Sequence, residues 1–136
     1  MTPRRLNDVE CSFSSTPLST RDAREFVAHQ LQRVKAAPTM IADFELMVSE
    51  LVANAVQHGD GGDLWVRLAI DDRACCTLTI SSGLATAIPP IDPSRWGLAP
   101  AHHSSGRGLG IVRRLAHEVR LAASGGRLEI TCRQCP

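Results

Sequence analysis

One segment constrains this chain more than any other: an apolar helix with a single polar line drawn along it. Ile41, Phe44, Met47, Val48, Leu51, Val52, Ala55 and Val56 recur so that the segment is apolar over more than half the girth of a helix, and such a helix is buried on most sides. Glu50, Asn54 and His58 interrupt it at steps of four. At about 100° per residue, each step drifts only about 40° around the axis, so the three share one stripe. A carboxylate, an amide and an imidazole on a mostly buried helix need polar partners. A ligand with a metal would supply them; the plain alternative is a stripe that faces water.

The flanking sequence gives this helix its neighbours. Pro38 opens it with Thr39 as a cap, Gly59 stops it, and Asp60-Gly61-Gly62-Asp63 reads as a turn. Upstream, Val9–Ser14 alternates weakly as a short strand. Pro17-Leu18-Ser19-Thr20 then starts a first helix, capped by Ser19 or Thr20, with Asp22 and Glu25 where the dipole favours anions. Ala23, Phe26, Val27, Leu31 and Val34 carry it to about Lys35. Downstream, Leu64–Ile70 and Ala74–Ser81 form a hairpin around Asp71-Asp72-Arg73. Residues 83–107 hold Pro89, Pro90, Pro93 and Pro100 without periodicity; a connection longer than about 15 residues in a compact domain is functional or disordered. Leu109–Glu118 reads as a third helix, and Val119–Ala123 with Arg127–Cys132 as a closing hairpin. Strands and helices are mixed without strict βαβ alternation, which predicts an α+β two-layer sandwich, a mixed, mostly antiparallel sheet with helices on one face.

A second motif precedes that third helix. Gly106, Gly108 and Gly110 alternate in Ser104-Ser105-Gly106-Arg107-Gly108-Leu109-Gly110-Ile111-Val112. Glycine lets backbone N–H groups approach phosphate oxygens, and a helix N-terminus adds a favourable dipole. No Gly-Lys-Ser/Thr follows, so this is not a Walker A loop, and the spacing is not that of a dinucleotide fingerprint.

Composition narrows the class. A length of 136 residues is one domain, residues 1–136, that can bury a core without disulfide staples. Aromatics are 4% and Tyr is absent, so Leu, Val, Ile and Ala build that core. No apolar run reaches the roughly 18 residues of a membrane span, and the N-terminus lacks the apolar stretch of a signal peptide, so the expected place is the cytoplasm. The net charge of +1 is spread along the chain, which argues against direct nucleic-acid binding. Five cysteines with no export signal favour reduced thiols. Cys132-x-x-Cys135 has metal-ligand spacing but is a single pair, and a structural zinc needs two more ligands. His102-His103 reads as solvated and Trp96 as a hydrophobic anchor.

The two motifs together, in this order and with a hairpin and a long loop between them, are much more specific than either alone. Ser49-Glu50-Leu51-Val52-Ala53-Asn54-Ala55-Val56-Gln57-His58-Gly59 resembles the N-box of the Bergerat-fold, histidine kinase-like ATPases, and Gly106–Val112 resembles their second glycine box. The short chain and the His-Gly ending make the anti-sigma-factor serine/threonine kinase branch the nearest in kind. The resemblance implies ATP and Mg²⁺ as cofactors, with Asn54 ligating the metal and Glu50 as general base toward a partner's serine. His58 would line the phosphate or ribose side. Gly106 and the backbone N–H groups of Gly108, Leu109 and Gly110 would hold phosphates, and Arg107 would offset γ-phosphate charge. Residues 83–107 would be the ATP lid. The implied partners are a sigma factor and a small antagonist protein, with homodimerisation through the N-terminal strand and first helix.

One departure stands out. The family places an Asp after the second hairpin strand, where it accepts the adenine amino hydrogen bond; here Ser82 holds that position, followed by Gly83. A neutral acceptor makes roughly half as strong a bond as a charged one. The sequence therefore supports a kinase and, as the alternative, a degenerate domain that grips partners with weak or no ATP binding. A detached histidine-kinase catalytic domain is a third reading, but no histidine lies in a phosphoacceptor-like helical hairpin.

Overall fold

The structure, a computed structural model, describes residues 5–84 and 104–136; of Arg5, Leu6 and residues 104–107 only the backbone is described. Elements follow in the order β1 (Arg5–Phe13), α1 (Ser19–Arg33), α2 (Pro38–His58), β2 (Leu64–Asp71), β3 (Cys76–Gly83), α3 (Ser104–Leu115), β4 (Glu118–Ser124) and β5 (Arg127–Gln134). The strands form one sheet in the order β1-β2-β3-β5-β4, and every pairing is antiparallel. The α+β sandwich read from the sequence is the fold observed; the sheet is wholly antiparallel rather than mixed.

Alternation decides which face is covered. In β2 and β3 every second residue is buried, and Leu64, Val66, Leu68, Cys76, Leu78 and Ile80 join Val27, Leu31, Phe44, Met47, Val48, Leu51 and Val112 in one core. The intervening residues, among them Arg67 and Thr79, lie on the open face, as does Thr131 of β5 opposite Thr79. There Arg67 holds Asp8 through two bonds of 2.8 and 2.6 Å, which raises the Arg67 pKa.

Boundaries move by a few residues, with local causes. Ser19 does not cap α1 from outside. It is the first helical residue, buried, and its hydroxyl accepts the Thr16 N–H at 2.9 Å and donates to the Ser14 carbonyl. The C-terminus of α1 closes with Ala36 N–H on Leu31 O and Lys35 N–H on Gln32 O, both 3.0 Å, which puts Lys35 in the left-handed region at φ 56°. Thr39 is not a cap either: Ala37 holds that position with no side-chain bond, and Pro38 sits at the first turn. The β4–β5 turn uses Gly125 and Gly126 at φ 60° and 77°, as a two-residue hairpin requires.

The cysteines correct the sequence reading. Cys75 and Cys135 are bonded to each other, while Cys11, Cys76 and Cys132 are free. The β3–β5 register explains it: Cys76 pairs with Gln134, so the residues just outside that pair face each other. Cys132 is therefore not partnered with Cys135; it lies in the core, opposite Leu78.

Candidate functional site

The stripe on α2 is as the period predicts, and its burial is graded. Glu50 and Asn54 are half-buried and His58, on the last turn, is exposed. The opposite side of the helix, from Met40 through Phe44, Met47, Val48, Leu51, Val52 and Ala55, is core. Among the described residues the side chains of Glu50, Asn54 and His58 have no hydrogen-bond partner. Gly59 ends the helix with its N–H on Ala55 O at 2.8 Å. A methyl there would overlap Ala55 O and come within 3.2 Å of Gly83 O. Asp60 N–H then donates to Gly83 O at 3.1 Å. This bond, within the Gly59–Leu84 bridge, fastens the end of α2 to the end of β3, which places Ser82 and Gly83 beside the stripe's last turn.

Ser82 is buried and continues the inward series Leu78, Ile80. Gly83, one residue on, turns to the other side, where the Asp60 carboxylate covers it so closely that a Cβ would overlap it. That carboxylate is also fixed by the Gly62 N–H at 2.8 Å. Along the chain Asp60 is a plain turn residue; only the fold shows that its carboxylate covers Gly83.

The glycine motif differs from expectation. The sequence predicts a loop leading into a helix at Leu109, but α3 begins at Ser104. Gly106, Gly108 and Gly110 are wound into the helix. An α-helix leaves the N–H groups of its first turn unpaired, here including those of Ser104, Ser105 and Gly106. The N–H groups of Gly108, Leu109 and Gly110 are committed inside the helix. The Arg107 side chain, Trp96, His102, His103 and residues 85–103 of the predicted lid lie outside the described residues.

The two motifs meet. Gly108 is buried, and a Cβ on it would overlap the Glu50 carboxylate, with Glu50 Cδ at 3.2 Å and Glu50 Cβ at 3.5 Å. With no Cβ at Gly108, α3 approaches α2 here without displacing the Glu50 side chain. A carboxylate, an amide oxygen and the N-terminus of a helix, which favours anions, are therefore neighbours.

Residues 13–133 match the histidine kinase-like ATPase domain family, HATPase_c_2. The chain belongs to that family. Among solved structures, this ATPase-family domain is similar to the RsbU and RsbW domains of Rv1364c from Mycobacterium tuberculosis, with a TM-score of 0.71 and 21% identity over 95% of this chain. It spans 32% of that chain. It is also similar to the SiaB–SiaC complex from Pseudomonas aeruginosa, with a TM-score of 0.68 and 13% identity, covering 97% of this chain and 90% of that one. No curated protein matches the sequence.

Elsewhere among the described residues, a depression of about 290 Å³ on the open face of the sheet is lined by Thr77, Glu118, Arg120, Thr131 and Arg133. Its arginines are already met by carboxylates, Arg120 by Glu118 at 2.5 Å and Arg133 by Asp71 at 3.5 Å. It faces away from the stripe. No described helix is long and apolar enough to cross a membrane.

Proposed function

We propose that this domain binds ATP with Mg²⁺ between α2 and the first turn of α3, and transfers the γ-phosphoryl group to a serine on a small antagonist protein. The observation that carries the reading is the contact of Glu50 with Gly108, which joins the two motifs of the family in one place. Asn54, one turn beyond Glu50, offers an amide oxygen of the hard kind that suits Mg²⁺. It is half-buried without a partner among the described residues, so the residues present fit that ion. Bound Mg²⁺ offsets phosphate charge.

The remaining roles fall to the chain itself. The free N–H groups of the first turn of α3, residues 104–106, hold phosphate oxygens with the help of the dipole. Glu50 accepts the proton of the serine hydroxyl. Arg107 balances charge on the γ-phosphate, and His58 lines the ribose side. Ser82 accepts the adenine amino hydrogen bond beside Gly83. The connection between β3 and α3, within the expected 83–107 lid, closes over the nucleotide. The protein partners are a sigma factor and its antagonist, a reading supported by the RsbW domain and by the complex form of SiaB–SiaC among the similar structures. The free edge of β1 and the adjoining α1 form the homodimer face, and the cytoplasm is where such partners meet.

A second reading rests on Ser82. With a neutral, buried hydroxyl in place of a carboxylate, the domain binds its partners without phosphoryl transfer. Calorimetric titration of ATP–Mg²⁺, together with labelled phosphate followed onto candidate antagonists, separates the two. Binding with transfer supports the kinase; binding without transfer removes it; no binding at millimolar ATP leaves only the partner-binding reading. In the kinase, Glu50→Gln spares nucleotide binding and stops transfer, whereas Asn54→Ala loses the Mg²⁺-dependent part of binding.

A further inference from the structure

The C-terminal end of β5 touches both helices of the site. Gln134 is buried, and its Nε2 donates at 2.9 Å to Asp43 Oδ2 of α2 and at 2.9 Å to the carbonyl of Leu115, the last residue of α3. That carbonyl is one that helix geometry leaves without an intrahelical partner. Asp43 lies seven residues before Glu50, and Leu115 seven residues after Gly108. Two turns, about 10 Å, therefore separate the Gln134 clamp from the Glu50–Gly108 contact along either helix. The helices run antiparallel and are pinned at two levels. Sliding α3 along α2 would break both.

Gln134 is itself held by its neighbour in the chain. Cys135 is bonded to Cys75, at a sequence separation of 60, and its N–H donates to His117 Nδ1 at 3.0 Å, where α3 hands over to β4. Cys76 and Gln134 are the last pair of the β3–β5 ladder, and the terminal pair of a ladder opens more readily than its middle unless tied. The covalent tie keeps that last pair, and with it the clamp, in place. The other two thiols at this end do not exchange with it: Cys76 and Cys132 are fully buried, and burial pushes both up to about 12, which leaves almost no thiolate.

We propose that the Cys75–Cys135 bond and the Gln134 clamp form a redox latch that seats α3 against α2 and so sets the nucleotide affinity of the site; this rests on the ATP-binding reading above. A dithiol reductant supplies two electrons and two protons. One of its thiolates attacks the more accessible sulfur, that of Cys135, and the S–S bond breaks. The second thiol resolves the mixed disulfide, leaving Cys75 and Cys135 as thiols and the reductant as its own disulfide. The freed end of β5 then frays, Gln134 releases Asp43 and Leu115 O, and α3 loses one of its two pins.

The test compares the full chain as oxidised and after mild dithiothreitol treatment, with alkylation and mass spectrometry to count thiols. Hydrogen exchange of residues 104–115 and calorimetric titration of ATP–Mg²⁺ are the readouts. On reduction, α3 amides exchange about tenfold faster and ATP binds about 3- to 10-fold more weakly, the scale of losing one or two hydrogen bonds. Reoxidation restores both. Cys75→Ser with Cys135→Ser behaves as the reduced form and ignores dithiothreitol. Gln134→Leu keeps the disulfide yet exchanges like the reduced form. Equal α3 exchange in the two redox states, or a Gln134→Leu variant that exchanges like the oxidised parent, overturns the latch. If neither state binds ATP, the functional reading fails, and the exchange data still decide the latch.

Discussion

Replacing Gly108 by alanine should separate stability from chemistry. Gly108 is the fifth residue of α3, and alanine in a helix interior is favoured over glycine by about 1 kcal/mol. The new methyl would overlap the Glu50 carboxylate, with Glu50 Cδ at 3.2 Å and Cβ at 3.5 Å. Its obstacle is the end of a flexible side chain, which can turn aside for about 0.5–1.5 kcal/mol. The two effects cancel, so Gly108→Ala should unfold within about 1 kcal/mol of the parent, or about 4 °C in Tm for a domain of this size. Catalysis has no such compensation. A carboxylate displaced by about 1 Å loses on the order of 100-fold in rate, and a general base contributes about 10²–10⁴-fold. Phosphoryl transfer should fall by about 100-fold or more while ATP affinity changes only a few-fold. Differential scanning calorimetry, ATP titration and transfer of labelled phosphate measure the three quantities. Full transfer activity would show that the Glu50–Gly108 approach is not part of the chemistry. A collapse in Tm would show that the space beside Gly108 is bounded by something more rigid than a side chain.

Other substitutions test the same logic. Gly59→Ala meets backbone, Ala55 O and Gly83 O, rather than a movable side chain, and should cost about 1–3 kcal/mol in a urea titration; a neutral result would mean that the α2–β3 junction yields easily. Lys35, left-handed at φ 56°, should give about 1 kcal/mol of stability when changed to Gly, and a loss would mean that its side chain packs. Ser82→Asp should tighten adenine nucleotides about tenfold while lowering the stability of the free protein, because it buries a carboxylate; unchanged affinity would remove Ser82 from the base pocket. Burial holds the Cys76 and Cys132 thiols up at about 12 from the ordinary 9.0. Above pH 9 the unfolded chain gives up protons that the folded one keeps, so this contribution is full below pH 9 and is lost as pH rises toward 12. Each thiol should cost on the order of 1 kcal/mol per pH unit in that window, and Cys76→Ala or Cys132→Ala should flatten the slope. With no Tyr and Lys35 the only lysine, few other groups compete there.

How much of the fold is legible in the sequence depends on how local each feature is. The 21-residue α2 is legible because its apolar girth and four-residue polar stripe are properties of one segment. The hairpins are legible because β-rich runs flank short polar turns. The start of α3 is displaced from its expected place because three glycines lower helix propensity, while packing of Gly108 against Glu50 is invisible along the chain. The caps fail for a similar reason: Ser19 and Thr39 have the right side chains, but the chain enters each helix one or two residues earlier. The disulfide depends on a β3–β5 register that sets Cys75 beside Cys135, and the clamp on α2 packing over the end of β5, where Gln134 meets Asp43. Spacing points instead to Cys132 with Cys135, which share one strand end but not one face. The Ser82 departure is visible in sequence, and the structure adds that it is inward-facing and buried.

An amide NMR titration of the isotopically labelled chain with ATP–Mg²⁺ puts the nucleotide site itself to the test. Saturable shifts should fall on Glu50–His58, Ser82–Gly83, the lid and the first two turns of α3, and their Mg²⁺-dependent part should be lost in Asn54→Ala. Shifts that instead map to the open face of the sheet, or no shifts at millimolar ATP, would contradict a nucleotide held between α2 and α3.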